Sequence, residues 1–240
     1  MIYKDNKVCE ELFRQPSSEY RGSPFWSWNG KLTKERLCEQ IDVFKEMGFG
    51  GFYMHPRSGM ETDYLSDEYF SCIDECINHA KTNGMNACLY DEDRWPSGFA
   101  GGLVTKTPRY RQRKLFVTSK KEYLPEFEED SFIAFQEGKP YLLGCYDVEF
   151  DSEGFLKDYK RIEFAENAEN IKYYAFSKSD SPSGRYNFAT SVDYLQPEAI
   201  SEFIEITHKQ YHKKFGREYG KTIPTIFTDE PRFGPVELLD

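Results

Sequence analysis

The stretch SDEYFSCIDECINHAKTNGMNACLYDEDRW, residues 66–95, decides how this chain is built. Ser66 suits an N-cap, and Asp67 and Glu68 fall where the positive end of a helix dipole favours acids. Phe70, Ile73, Ile77 and Ala80 then recur at helical spacing. Gly84 stops the helix, Ala87-Cys-Leu-Tyr90 reads as a short apolar strand, and Asp91-Glu-Asp-Arg-Trp95 is the polar cluster that strand delivers. The same format stands upstream. Thr33 caps a helix with Leu37, Ile41, Phe44 and Met47 on one face, Gly48 ends it, and Gly50-Gly-Phe-Tyr-Met54 leads into His55-Pro-Arg57. It stands again downstream, where Pro197 opens a helix carrying Ile200, Phe203, Ile204, Tyr211 and Phe215. Ile223-Pro-Thr-Ile-Phe227 then delivers Thr228-Asp-Glu-Pro231, and ahead of all three Pro24-Phe-Trp-Ser-Trp28 fits an opening strand.

Helix and strand in alternation predict a parallel sheet with helical crossovers, in which chemistry gathers beyond the carboxyl ends of the strands. No Gly-x-Gly-x-x-Gly and no P-loop follows a strand, so a nucleotide-binding doubly wound sheet loses its main support. The expected fold class is therefore α/β of the (β/α)8 TIM-barrel type. Residues 1–106 would supply the first three units and residues 191–240 a helix and the fourth strand. Between them, residues 107–190 break the rhythm. Lys114-Leu-Phe-Val-Thr118, Phe132-Ile-Ala-Phe135, Tyr141-Leu-Leu-Gly-Cys-Tyr146 and Ile171-Lys-Tyr-Tyr-Ala-Phe176 read as strands of a β-rich insertion, and Ser177–Gly184 as a flexible loop. Four strand units fill only half of an eight-stranded barrel. The expectation is the amino-terminal part of a longer barrel, with self-association into a homodimer as the other way to complete it.

Composition bounds the functions open to such a chain. Its 240 residues are 39% hydrophobic and 17% aromatic, enough for a sizeable core. A net charge of -10 repels phosphate backbones, so no nucleic-acid partner is expected. No apolar run approaches a membrane span, and the first residues lack the apolar core of a signal peptide. Cys9, Cys38, Cys72, Cys76, Cys88 and Cys145 show no paired framework. Reduced thiols, a cytoplasmic location and no membrane partner are the matching expectations.

Asp229-Glu230-Pro231, ending the fourth strand, carries the sharpest chemical signal. A carboxylic acid there can project into the barrel mouth, partly desolvated, with a raised pKa suited to proton donation. Glycosidic bonds are broken by two such carboxyl groups. Asp229 and Glu230 are thus the candidate catalytic residues, the competing reading being solvated loop charge. In the second cluster, strand alternation would put Asp91 and Asp93 on one face and Glu92 on the other. Asp91 and Asp93 would accept from sugar hydroxyls while Trp95 stacks on a pyranose face; the other reading, compatible with the first, has Arg94 pair with one of the acids and Trp95 simply pack. Trp26 and Trp28 share a strand face, and the pair makes a sugar platform if exposed and barrel core if buried. His55 and Arg57 end the second strand and, with Arg94, join the substrate-binding candidates.

Two helical patterns mimic metal sites. His208 and His212 lack the glutamate of His-Glu-x-x-His and read as an exposed helix face, and Cys72, Cys76 and His79 read as a half-buried one. No metal ligands are assigned. Without a Gly-x-Ser-x-Gly elbow an esterase triad has no anchor.

Phe25-Trp-Ser-Trp-Asn29, Lys31-Leu-Thr33, Met47-Gly-Phe-Gly-Gly51, Met54-His-Pro-Arg57 and Leu89-Tyr-Asp-Glu-Asp-Arg-Trp-Pro-Ser-Gly98 resemble bacterial glycoside hydrolases related to the family 106 α-L-rhamnosidases. The resemblance runs from Pro24 to about Arg113 and resumes from Val192 to Gly234. It implies a (β/α)8 catalytic domain in a larger enzyme, two carboxylates that invert the anomeric centre, and an association with calcium. Glu230 becomes the general acid or base, and His55, Arg57, Asp91, Asp93 and Trp95 line the subsite. The second catalytic carboxylate would come from a later strand. The expected function is hydrolysis of a glycosidic bond in a plant or host glycan, with no cofactor beyond the calcium that the resemblance admits. The rivals are a non-catalytic carbohydrate-binding barrel and a metal-dependent hydrolase using His55, Asp91 and Asp93.

Overall fold

A computed structural model describes residues 10–186, 188–233 and 236–239; Cys9 and Gly234 lie outside them. In chain order the elements are α1 (Glu10–Arg14), β1 (Phe25–Trp28), α2 (Lys34–Glu46), β2 (Gly51–Pro56), α3 (Asp67–Thr82), β3 (Asn86–Tyr90), β4 (Arg113–Thr118), α4 (Ser131–Glu137), β5 (Tyr141–Phe150), β6 (Leu156–Ile162), β7 (Ile171–Ser179), α5 (Pro197–Ile206), α6 (His208–Phe215), β8 (Ile226–Phe227) and β9 (Glu237–Leu238). They fall into two compact units. Met1–Leu103 with Ile200–Pro231 form the first, and Val104–Ala199 with Arg232–Asp240 form the second.

The first unit is a four-stranded, fully parallel sheet in the order β1-β2-β3-β8. Its crossovers begin where the sequence says they should. Thr33 Oγ1 accepts from Arg36 N at 3.4 Å to cap α2, and Ser66 Oγ accepts from Tyr69 N at 3.1 Å to cap α3. Strand alternation sorts the sheet into two faces. Trp26, Trp28, Phe52, Met54, Ala87 and Leu89 point one way and are buried with Leu37 and Ile41 of α2, the apolar face of α3, and Tyr211 and Phe215 of α6. Each large apolar side chain buried there contributes about 1.5–3 kcal/mol. Phe25, Tyr53, His55, Tyr90 and Phe227 occupy the other face and contact one another ring to ring. Gly51 lets β2 begin against β3, since a Cβ there would stand 2.6 Å from the Asn86 carbonyl oxygen.

Some details depart from the sequence reading. Met47 is exposed, because α2 ends at Glu46 and Met47 is only its C-terminal cap. The helix read from Pro197 is two helices. Thr207 between them turns its hydroxyl back onto the Phe203 carbonyl at 2.7 Å, and Ile204 is exposed.

The second unit is a five-stranded mixed sheet ordered β6-β5-β7-β4-β9. β4, β5, β6 and β7 pair antiparallel, and β9 runs parallel to β4. Cys145, Ile162 and Tyr174 form a small buried core on one face of it. Phe132–Phe135, read as a strand, is the body of α4. Asp130 accepts from Phe132 N at 2.8 Å and Ile133 N at 3.2 Å, and Gly138, at φ 69°, ends the helix in the left-handed conformation. β6 escaped the reading because Leu156-Lys-Asp-Tyr-Lys-Arg-Ile162 is charged and exposed along most of its length. The loop read from Ser177 starts later, since Ser177–Ser179 still belong to β7.

The molecule is thus mixed α/β, with one parallel and one mixed sheet, and no sheet among the described residues closes into a barrel. No described helix is long and apolar enough to cross a membrane. Cys38, Cys72, Cys76, Cys88 and Cys145 are free thiols.

Candidate functional site

The carboxyl ends of β1, β2, β3 and β8 lie along one side of the first unit's sheet and deliver its polar clusters. The alternation that sorts the sheet continues past the strand ends. Beyond Phe227, Thr228 joins Asp91 behind the sheet's helix-bearing side, whereas Asp229 joins Tyr90 on the aromatic face.

Asp91 is fully buried and both its oxygens are taken. Oδ1 accepts from Ser97 Oγ at 2.6 Å; Oδ2 accepts from Thr228 Oγ1 at 2.6 Å and lies 2.9 Å from His208 Nε2, at the first residue of α6. Ser97 Oγ in turn accepts the Asp229 N–H at 2.9 Å. Asp229 Oδ2 accepts from the Tyr90 hydroxyl at 3.0 Å, and Oδ1 accepts from Glu230 N at 2.9 Å. Burial first, and the Asp229 charge second, push the Tyr90 pKa well up, so the phenol keeps its proton and donates. One hydrogen-bonded chain therefore runs from His208 through Asp91 and Ser97 to the acids that end β8.

Glu92 is also fully buried, but in a different surrounding. Its carboxylate accepts four backbone N–H groups, from Asp93 at 2.8 Å, Gly98 at 2.9 Å, Ala100 at 2.7 Å and Gly101 at 2.6 Å. Burial raises its pKa to about 8, against the pull of those donors. The loop wraps tightly enough that Gly98, Ala100 and Gly101 all take positive φ, at 131°, 50° and 60°. Glu92 thus serves as the buried post around which residues 93–101 are wound.

The remaining sequence candidates separate cleanly. Asp93 is buried and paired with Arg94, whose Nε stands 3.0 Å away. Burial raises the Asp93 pKa and the Arg94 charge lowers it. The ion pair of Arg94 with an acid is thus observed, and Asp91 and Asp93 are closed to solvent. Trp95 is partly buried. Trp26 and Trp28 are 6% and 2% exposed and meet edge to face at 5.5 Å, which corrects the platform reading. They lie on the side that α2 and α3 cover, so they are core. His55 is buried, stacked on Tyr90 at 3.7 Å, and donates from Nδ1 to the Pro56 carbonyl at 2.9 Å. Burial lowers its pKa, the Pro56 carbonyl opposes that, and the Arg57 charge adds to it. Arg57 and Glu230 are exposed, and among the described residues no side chain holds either one. A partly desolvated acid was expected at Glu230; its carboxyl stands in solvent. His79 pairs with Asp42 at 2.7 Å, and Cys72 and Cys76 are buried.

Sequence reasoning missed His208, Ser97, Thr228 and Tyr90. His208 and His212 read as one exposed pair, yet His208 is half-buried on Asp91 while His212 is exposed. The helix break at Thr207, invisible in the periodicity, makes His208 the first residue of a new helix beside the strand ends.

Calcium, admitted by the resemblance, can be tested on the donor set. Asp91 oxygens accept from two hydroxyls and His208, and Glu92 from four N–H groups, so neither presents free oxygens to a cation, while Asp93 spends one oxygen on Arg94. Among the described residues no group of three or more His, Cys, Asp or Glu is arranged around a metal position. Asp91 and Glu92, their oxygens taken by protein donors, therefore do not fit a calcium ion.

No protein-family model matches the chain, and no curated protein matches its sequence. Among solved structures it is similar to the rhamnosidase from Novosphingobium sp. PP1Y, with a TM-score of 0.37 and 17% identity over 62% of this chain. The chain spans 17% of the length of that rhamnosidase.

Proposed function

We propose that the chain supplies the amino-terminal strands of a (β/α)8 glycoside hydrolase domain related to family 106, which cleaves a glycosidic bond in a plant or host glycan by carboxylate acid/base catalysis. The first unit contributes the first four barrel strands, and the second unit is the insertion between the third and fourth. The observation that carries the reading is the end of β8, where the exposed Glu230 carboxyl stands beside an Asp229 fixed by Tyr90 and Ser97. The strand order supports it as well. A doubly wound sheet reverses direction at a switch point, whereas β1-β2-β3-β8 follows chain order, as successive strands of a barrel do. In this reading Glu230 protonates the leaving oxygen or activates water, Asp229 fixes the local geometry, and His55 and Arg57 border the sugar. The partner carboxylate comes from a later strand.

The test is turnover of a panel of 4-nitrophenyl glycosides, the α-L-rhamnoside included, by the full-length polypeptide. Glu230→Gln is expected to lower kcat by at least about 100-fold with KM nearly unchanged. Turnover retained in that variant removes Glu230 from the mechanism.

A further inference from the structure

We infer that His208 is a positioning residue, acting through Asp91 to hold the acids at the end of β8; the inference rests on the glycosidase reading for its catalytic consequence. A carboxylate with no solvent exposure needs donors on both oxygens, and Asp91 is supplied by Ser97 on one and by Thr228 and His208 on the other. Only the last of these can carry a charge. Two of the three donors reach into the same short segment. Thr228 belongs to it, and Ser97 accepts the Asp229 N–H. Sheet pairing restrains the segment little, because β8 is only Ile226–Phe227 and Glu230 is exposed; from the aromatic face the Tyr90 hydroxyl also holds Asp229, at 3.0 Å. Residues 228–230 are thus fixed less by sheet pairing than by Tyr90 and the buried Asp91 anion, and His208 is the group that ties this anion to the start of α6. Phe203 meets the His208 ring edge-on at 5.6 Å and holds its plane.

The experiment compares His208→Leu, His208→Gln and Thr228→Val in the full-length polypeptide, on whichever 4-nitrophenyl glycoside the panel shows to be turned over. Glutamine keeps a donor at the reach of Nε2; leucine does not. His208→Leu is expected to lower kcat by about 10–100-fold with KM within about threefold, because displaced catalytic groups cost rate more than affinity. His208→Gln should restore most of kcat. Should His208→Leu fail to fold, Thr228→Val removes the other donor from the same oxygen and is expected to give the same split. Amide hydrogen exchange should accelerate at Asp229 and Glu230 while Ala87 and Leu89 in the sheet stay protected. Wild-type kcat in both His208→Leu and Thr228→Val, or exchange that rises equally across the sheet, overturns the inference. If the unmodified protein hydrolyses none of the panel, the glycosidase reading fails by itself, and the exchange pattern alone decides the positioning role.

Discussion

His55 shows how one buried side chain couples the candidate site to solution conditions. Its ring lies flat on Tyr90 and spends its Nδ1 proton on the Pro56 carbonyl, so a second proton would have to enter a buried, aromatic setting beside Arg57. Burial therefore lowers its pKa below the ordinary 6.5. In the unfolded chain the same imidazole takes up a proton as pH falls through 6.5, while the folded one stays neutral. The stability it contributes is complete above 6.5 and is lost progressively as pH drops from there towards its lowered folded value. An NMR titration of the imidazole should give a midpoint below 6.5, and the fall in denaturation midpoint over that window should be shallower in His55→Gln. A midpoint at or above 6.5 would show that Asp229 and the Pro56 carbonyl outweigh burial. The same scale explains what was legible at the site. That polar residues end the strands could be read from the sequence. Which of them are exposed could not, because Asp91 and Glu92 are adjacent acids in one motif, and only the folded loop gives one of them three side-chain donors and the other four backbone N–H groups.

At the scale of elements, periodicity succeeded where a face was buried and failed where it was not. α3 buries seven residues along one side, and its cap, acids and stop were all visible. α4 and β6 carry no such stripe. In α4 only Ala134 is buried, and Phe132 and Ile133 are exposed, so the apolar run Phe132–Phe135 resembled a buried strand. What makes it helical lies at its ends, in the Asp130 side chain and in Gly138. Asp130→Ala should therefore destabilise the second unit by about 1 kcal/mol, the ordinary cost of losing such a cap. Were Phe132–Phe135 a strand, Asp130 would be a solvated turn residue and the same substitution would change the urea midpoint by almost nothing. Circular dichroism, followed through the urea transition, separates the two.

For the whole molecule, the first unit's sheet has one face closed by helices and the other lined by Phe25, Tyr53, His55, Tyr90 and Phe227, with β1 and β8 as its two edges. Phe25 is 54% exposed, which is a large apolar surface for a strand residue. In the proposed barrel that aromatic face is interior, and further strands pair with both edges and cover it. The 240-residue chain by itself should then present Phe25, with the half-buried Tyr53 and Phe227 beside it, to solvent and bind an anilinonaphthalene sulfonate dye, while the full-length polypeptide should not. Phe25→Lys places a charge on the face where side-chain space is open, so it should weaken dye binding to the short chain with little change in its urea midpoint. In the full-length polypeptide the same lysine would be forced into the barrel interior, at the cost of burying an unpaired charge, and the urea midpoint should fall sharply. Equal tolerance of Phe25→Lys in both proteins would mean that no strand closes over this face, and the barrel would be lost with it.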